Sequence, residues 1–176
     1  RYGAEALRAV GRTEEALEVF LDLTEAGPAV SATAFQRAYE LSQRLGRTET
    51  ARQVVQRAEQ SLAGRTDVLR ELWVQVGVQS YRNDRIATAE LYLSRVWELQ
   101  EEEVPGTVPL YLSELYVRQN RRGEAVDLLE EARSRGLDEQ GDRILLRLAN
   151  LYLEEDDAET AVEVLDAFIE EYPRSD

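Results

Sequence analysis

Small and apolar residues recur along this chain at the spacing of one helix face. Near the C-terminus one such face consists of Leu145, Leu148, Ala149 and Tyr152, and the next of Ala161, Leu165 and Phe168. Positions i, i+3, i+4 and i+7 lie on one side of an α-helix, so the pattern predicts two consecutive amphipathic helices. Paired faces of this kind recur towards the N-terminus, which makes the chain a candidate for an internal repeat.

Five alanines mark the repeat. They are Ala16, Ala51, Ala89, Ala125 and Ala161, spaced 35, 38, 36 and 36 residues apart. Five residues before each of them the chain has Gly11, Gly46, Asp84, Asn120 or Asp156. Gly, Asn and Asp tolerate the left-handed backbone that often ends a helix, so these five residues predict five helix ends, each followed by a new helix. In the first two repeats, Thr13 and Thr48 are candidates for the N-cap of that second helix.

Small residues are expected where two helices approach closely. The first helices offer Ala4, Gly77, Ser113 and Ala149, and the second helices offer the five alanines. A large side chain there would separate the backbones at a cost of about 1–3 kcal/mol. Proline falls between helices or near their ends, at Pro28, Pro105, Pro109 and Pro173.

The unit resembles a tetratricopeptide repeat (TPR), a helix–turn–helix of about 34 residues. The last unit matches the family's signature spacings best. The residues that stand at those spacings are Leu145, Leu148, Ala149, Tyr152, Ala161, Leu165, Phe168 and Pro173. The resemblance extends over almost the whole chain and implies an all-α, right-handed α-solenoid of about five units. Two departures stand out. Tyr39 occupies a place for a small residue, unless Ala38 takes it, and Ser80 stands where the family usually has an aromatic residue.

We expect one array over 1–176, with units of approximately 1–28, 29–66, 67–104, 105–140 and 141–176. Ala4 and Leu7 already hold late positions of a first helix, and the final residues lead on towards another unit. TPR arrays usually close with a solvating helix, which this sequence lacks. The pattern therefore favours a fragment of a longer repeat protein, truncated at both ends.

The amino-acid composition limits the kinds of chemistry that the chain can perform. The chain has no His, Cys or Met, and all 21 basic residues are arginines, against 35 acids, for a net charge of −14. A Cys/His zinc site, a thiol nucleophile and an imidazole base are excluded. The net negative charge disfavours binding to nucleic acid, because the phosphate backbone is also negative. No apolar run is long enough to span a membrane. We expect the protein to have no enzymatic activity, to bind no cofactor and to contain no metal site.

Two acidic clusters could be interpreted as cation sites. They are Glu98 with Glu101, Glu102 and Glu103, and the pair Asp156 and Asp157. The first is better explained as a solvated helix end. The second coincides with a predicted turn and helix start, where acids suit the helix dipole.

In the TPR family the first helices line a concave groove, through the second, fifth, sixth and ninth positions of each unit. Carried over, these positions give Thr33, Gln36, Arg37, Glu40, Glu71, Val74, Gln75, Val78, Thr107, Leu110, Tyr111, Glu114, Arg143, Leu146, Arg147 and Asn150. Arginine suits carboxylates of a bound peptide, and exposed aliphatic side chains suit its apolar residues. The alternative is that these are ordinary solvated or inter-repeat packing positions.

The leading hypothesis for function is a non-catalytic scaffold that binds a peptide or partner segment in this groove. The alternative is an assembly module that associates with itself through its end repeats, in bacterial envelope assembly, because the tail EEYPRSD resembles that of envelope TPR proteins. The absence of lysine argues against a clamp for chaperone tails. The sequence leaves the compartment open between cytoplasm and periplasm.

The acid excess has two explanations. Dense carboxylates keep a surface hydrated at high salt, which favours a halophilic source. Arginine codons are also rich in G and C, so a coding bias explains the missing lysines equally well.

Overall fold

The computed structural model describes residues 2–25, 28–99, 104–136 and 140–173. Over these ranges the chain forms ten helices and no strand, which confirms the all-α fold class. The helices are α1 (Tyr2–Ala9), α2 (Thr13–Leu23), α3 (Pro28–Arg44), α4 (Thr48–Ser61), α5 (Thr66–Arg82), α6 (Ile86–Trp97), α7 (Thr107–Arg118), α8 (Arg122–Ser134), α9 (Gly141–Glu154) and α10 (Ala158–Glu171). No helix in the described ranges combines the length and the apolar character needed to cross a membrane.

The helices pack as successive hairpins in two compact units. The first unit, Arg1–Gln75, contains α1 to α4 and the start of α5; the second, Val76–Asp176, contains the rest of α5 and α6 to α10. Within the first unit α1 packs on α2, α2 on α3 and α3 on α4. Within the second, α6 packs on α7, α7 on α8, α8 on α9 and α9 on α10. In these contacts a second helix packs on the first helix of the next hairpin, as α2 does on α3, α6 on α7 and α8 on α9, while one array over the whole chain stays a prediction.

The five predicted helix ends are confirmed. Gly11, Gly46, Asp84, Asn120 and Asp156 all have a positive φ, between 57° and 79°. After each of them the next backbone N–H donates to the carbonyl five residues earlier, as in Arg12 N to Leu7 O at 2.9 Å. This bond satisfies a carbonyl that the helix end leaves free, and it requires the left-handed residue. The same turn therefore closes every hairpin.

The predicted caps Thr13 and Thr48 are wrong by one residue. Both threonines are the first residues of their helices, and the N-cap positions belong to Arg12 and Arg47, which make no side-chain cap. The left-handed turn brings the residue directly after it into the N-cap position. The last repeat has an acid there: the Asp157 carboxylate accepts a hydrogen bond from Thr160 N at 3.2 Å.

The core lies between the helices of each hairpin, where the small residues were predicted. The five repeat alanines are at most 1% exposed. Ala4, Ser113 and Ala149 are also at most 1% exposed, and Gly77 is buried. In the second repeat both Ala38 and Tyr39 are buried, so this hairpin accepts an aromatic ring beside the small residue.

Each unit contains one tryptophan in a distinct setting. In the first unit Trp73 is half-buried, and its Nε1 donates to Glu59 at 3.1 Å. In the second unit Trp97 is 8% exposed beneath the guanidinium of Arg135, whose Cζ lies 3.8 Å from the ring centre. The arginine also donates to the Trp97 carbonyl at 3.2 Å, so it holds α8 against the end of α6.

Candidate functional site

In the first unit, the predicted groove residues of α3 bond to neighbouring first helices. Gln36 donates to Glu71 of α5 at 2.7 Å. Arg37 donates to Glu5 of α1 at 3.1 Å and to Glu40 at 2.9 Å. These contacts match the inter-repeat packing alternative for this part of the surface.

In the second unit, the predicted residues form a mixed surface on α5, α7 and α9. Val78, Leu110, Tyr111, Leu146 and Arg147 are half-buried. Glu114, Arg143 and Asn150 are exposed. Gln75 and Thr33, which belong to the first unit, are also half-buried. The surface of the second unit therefore combines partly accessible apolar side chains with polar ones.

A cluster around Tyr81 completes this surface and was missed from the sequence. The ring of Tyr81 lies 4.9 Å from that of Tyr111, and the Arg118 guanidinium lies 4.7 Å from the Tyr81 ring centre. The Tyr81 hydroxyl donates to Glu114 and accepts from Arg118 at 3.1 Å. Arg118 also pairs with Asp84 at 3.3 Å. Neither Tyr81 nor Arg118 stands at a predicted groove position, so the groove pattern gave no signal for them.

These contacts fix the electrostatics of the cluster. Burial raises the pKa of Tyr81, and the hydrogen bond to the Glu114 carboxylate raises it further. The hydroxyl therefore stays protonated at neutral pH and holds α5 to α7 as a donor. The ring of Tyr111 packs against that of Tyr81 at an angle of 59°, which gives this stretch an aromatic surface.

Arg147 lies on α9 with a half-buried side chain. Its Nε is buried without a hydrogen-bond partner, and none of the carboxylates in the described ranges pairs with it. Arg143, one turn earlier, donates to the neutral Gln140 at 2.9 Å. Asn150 lies one turn later and is exposed. The end of the surface on α9 thus has two arginine side chains that form no ion pair with a described acid.

The acidic clusters behave as turns and helix ends wherever they are described. Asp156 is a left-handed turn residue and Asp157 is an N-cap. Glu98 is exposed just after α6, and Glu101, Glu102 and Glu103 lie outside the described residues. Across the described ranges, no group of three or more acidic side chains is placed to hold a metal ion.

Residues 143–175, which contain α10 and most of α9, match the tetratricopeptide repeat family model. This segment is a tetratricopeptide repeat, and the chain has the fold of a TPR solenoid. No curated protein sequence is significantly similar to it.

Several solved structures share its fold. YrrB, described as a TPR protein with an unusual peptide-binding site, is 19% identical over 97% of this chain and 84% of its own, with a TM-score of 0.63. MamA is 14% identical over 97% of this chain and 95% of its own, with a TM-score of 0.68. BtubC from P. vanneervenii is 16% identical over 96% of this chain and 76% of its own, with a TM-score of 0.66. At these identities the likeness establishes the TPR solenoid fold and leaves the ligand open.

Proposed function

We propose that this TPR protein is a non-catalytic scaffold that binds a partner segment on the first-helix surface of its second unit. TPR proteins are generally interaction scaffolds. The observation that carries the proposal is the unpaired, partly buried guanidinium of Arg147. A hydrogen bond to a charged group contributes about 1.5–3 kcal/mol, which a ligand carboxylate on the accessible part of this guanidinium would supply.

The neighbouring side chains define the kind of segment that fits. Leu146 and Leu110 are half-buried, so a partner can cover the apolar surface that remains. Tyr111 offers a ring, and the exposed amide of Asn150 can bond to a peptide backbone. The expected ligand is a peptide with an acidic side chain close to apolar ones. The peptide-binding site in the description of YrrB supports this proposal by analogy of fold.

Selection from a random peptide library tests the proposal. Peptides enriched on the wild-type chain should contain Asp or Glu beside apolar residues. Arg147→Ala should weaken their binding about 10-fold or more, because a hydrogen bond to a charged group contributes about 1.5–3 kcal/mol. The paired substitution Arg143→Ala/Arg147→Ala should weaken it further.

Arg82→Ala is the matched control. Arg82 is exposed at the end of α5, outside the predicted groove positions, and no described acid pairs with it. It removes the same charge and should leave peptide binding unchanged. Equal losses for Arg82→Ala and Arg147→Ala, or an enriched set without acidic residues, would contradict the proposal.

A second candidate function is assembly through the end repeats. The observation that favours it is the exposure of large apolar side chains on α10, where Val162 is 55% and Ile169 is 63% exposed. Apolar residues grouped on one helix face mark an interaction surface more often than residues scattered singly.

A further inference from the structure

A cavity of about 120 Å³ lies in the second unit, where the end of α8, the start of α9 and the end of α10 meet. Part of its wall is apolar and buried, namely Ala132, Ile144 and Leu145. Arg133 and Glu171 also line it, and both are exposed. The cavity therefore has an apolar floor and opens to solvent beside two charged side chains.

The repeat shows how the same space is filled one hairpin earlier. The last three repeat alanines are 36 residues apart, so the wall residues have counterparts at the junction of α6, α7 and α8. There Trp97 takes the place of Arg133, and Val96 takes that of Ala132. Trp97 is 8% exposed and Val96 is 0% exposed. An indole and a larger aliphatic side chain thus fill the earlier junction at the positions where the cavity has a surface arginine and an alanine.

The charged pair at the opening takes the place of a cation–π pair. In the earlier junction the Arg135 guanidinium lies 3.8 Å from the centre of the Trp97 ring. The counterpart of Arg135 is Glu171, which instead pairs with Arg133, with 3.8 Å between their charged atoms. Compared with the earlier junction, the later one keeps a guanidinium and lacks the aromatic ring.

Tyr172 adds an aromatic wall to the cavity. Gly141 has no Cβ, and a Cβ there would collide with the Tyr172 hydroxyl. The counterparts of Gly141 and Tyr172 are Pro105 and Gly136, so the bulky side chain changes sides between the two junctions. The Tyr172 ring also contacts that of Phe168, with 6.2 Å between the centres. Aromatic rings pair well at such distances, so this wall suits a further ring.

We propose that this cavity binds a planar aromatic ring of about the size of indole. An apolar cavity of about 150 Å³ is known to hold benzene, so the volume here suits a six-membered ring, and the opening leaves space for a fused one. Arg133 offers a cation to the ring, and Glu171 offers an acceptor to a ring N–H. The ligand should be neutral or cationic, because α10 contains five acids and no base.

Titration of the ¹⁵N-labelled chain with indole, followed by NMR, tests the site. Shifts that saturate should concentrate at the amides of wall residues such as Ala132 and Ile144. Arg133→Trp supplies the indole of the earlier junction from the chain itself, so it should abolish these shifts and raise the melting temperature. Arg133 is exposed, so the fold should tolerate the change. Arg133→Trp/Glu171→Arg restores the whole earlier pair and should behave in the same way.

Arg122→Trp is the matched control. Arg122 is exposed at the other end of α8, and it lies 3.5 Å from Glu154 much as Arg133 lies near Glu171. This variant adds the same ring to the same helix away from the cavity, so indole should bind to it as to wild type.

A parallel titration with N-acetyltryptophanamide distinguishes the source of the ring. If it produces the same shifts as indole, the cavity accepts a tryptophan side chain of a partner. If indole alone produces them, the occupant is a free small molecule.

Three outcomes would overturn the proposal: no saturable shift at the wall residues, shifts that persist in Arg133→Trp, or an equal loss of binding in Arg122→Trp. Ala132→Val is a second blocking variant, because it restores only the counterpart Val96 and narrows the floor. It should weaken indole binding, and unchanged binding in a folded Ala132→Val chain would also contradict the proposed site.

Discussion

Gly77 of α5 lies against Leu93 of α6 with no room for a side chain. A Cβ atom on Gly77 would be 2.6 Å from Leu93 Cγ and 2.7 Å from its Cδ2. Leu93 is 0% exposed and cannot move aside without disturbing the core. This hairpin therefore depends on glycine for its close helix approach, although glycine weakens a helix.

Gly77→Ala should destabilise the chain. Overpacking costs about 1–3 kcal/mol, and the higher helix propensity of alanine returns at most about 1 kcal/mol. Urea unfolding measures the change in free energy. Gly123→Ala in α8 is the control, because nothing lies within 4 Å of its added Cβ, and it should be neutral or stabilising. A Gly77→Ala chain as stable as wild type would show that Leu93 can repack.

Gly46→Ala isolates the cost of a left-handed turn. Gly46 has a φ of 69°, and an added Cβ would have no neighbour within 4 Å, so only backbone strain is introduced. We expect a loss of about 1–2 kcal/mol in the free energy of unfolding. Gly46→Asn should cost less, since Asn120 holds φ at 60° in the same turn of another repeat. Equal stabilities for the two variants would contradict this account.

Glu90 should make stability depend on pH. Burial alone would raise the pKa of its carboxyl, but hydrogen bonds from Gln119 at 2.7 Å and Arg121 at 2.6 Å outweigh it and lower the pKa below 4.5. A lowered pKa contributes stability above pH 4.5, which is lost as pH falls through the folded-state value. Glu90→Gln should therefore cost about 1 kcal/mol at pH 7 and almost nothing at strongly acidic pH.

The control for that experiment is Glu18→Gln, which removes one charge from an exposed acid that no described residue pairs with. Thermal unfolding of both variants at several pH values separates the local contact from the general effect of net charge. If Glu90→Gln and Glu18→Gln followed wild type in parallel at every pH, the hydrogen bonds to Glu90 would contribute no net stability.

Salt should raise the melting temperature if the acidity is an adaptation to high salt. The net charge of −14 leaves repulsion that ions screen, whereas the exposed ion pairs that salt also weakens contribute little each. We expect a higher melting temperature in molar sodium chloride than in dilute buffer. An uncharged osmolyte at matched osmolality controls for exclusion effects. An unchanged melting temperature would favour coding bias instead.

Local features of the repeat were predictable because each depends on one residue type in one backbone state. The positive φ of Asp84, Asn120 and Asp156 follows from their tolerance of the left-handed region, and the burial of Ala89 follows from close packing. The same logic applied to Gly64 and Gly136, which also have a positive φ just beyond second helices, identifies two further helix ends that the alanine spacing did not reveal.

Side-chain partners on the first-helix surface were not predictable. Gln36 bonds to Glu71, which is 35 residues away, and that choice depends on rotamers and on the offset between neighbouring hairpins. The same limit hid Tyr81 and Arg118, because both lie outside the family's groove pattern although they contact groove residues. Whether Arg147 and its neighbours bind a ligand stays a prediction.

The two tryptophans give each unit its own optical reporter. Trp73 beside Glu59 and Trp97 beneath Arg135 have different polarity around the indole, so their emission spectra should differ. Trp73→Phe and Trp97→Phe would each leave a single fluorophore, one in the second unit and one in the first. Denaturation followed through each in turn would reveal whether both halves of the chain melt in one cooperative step or separately.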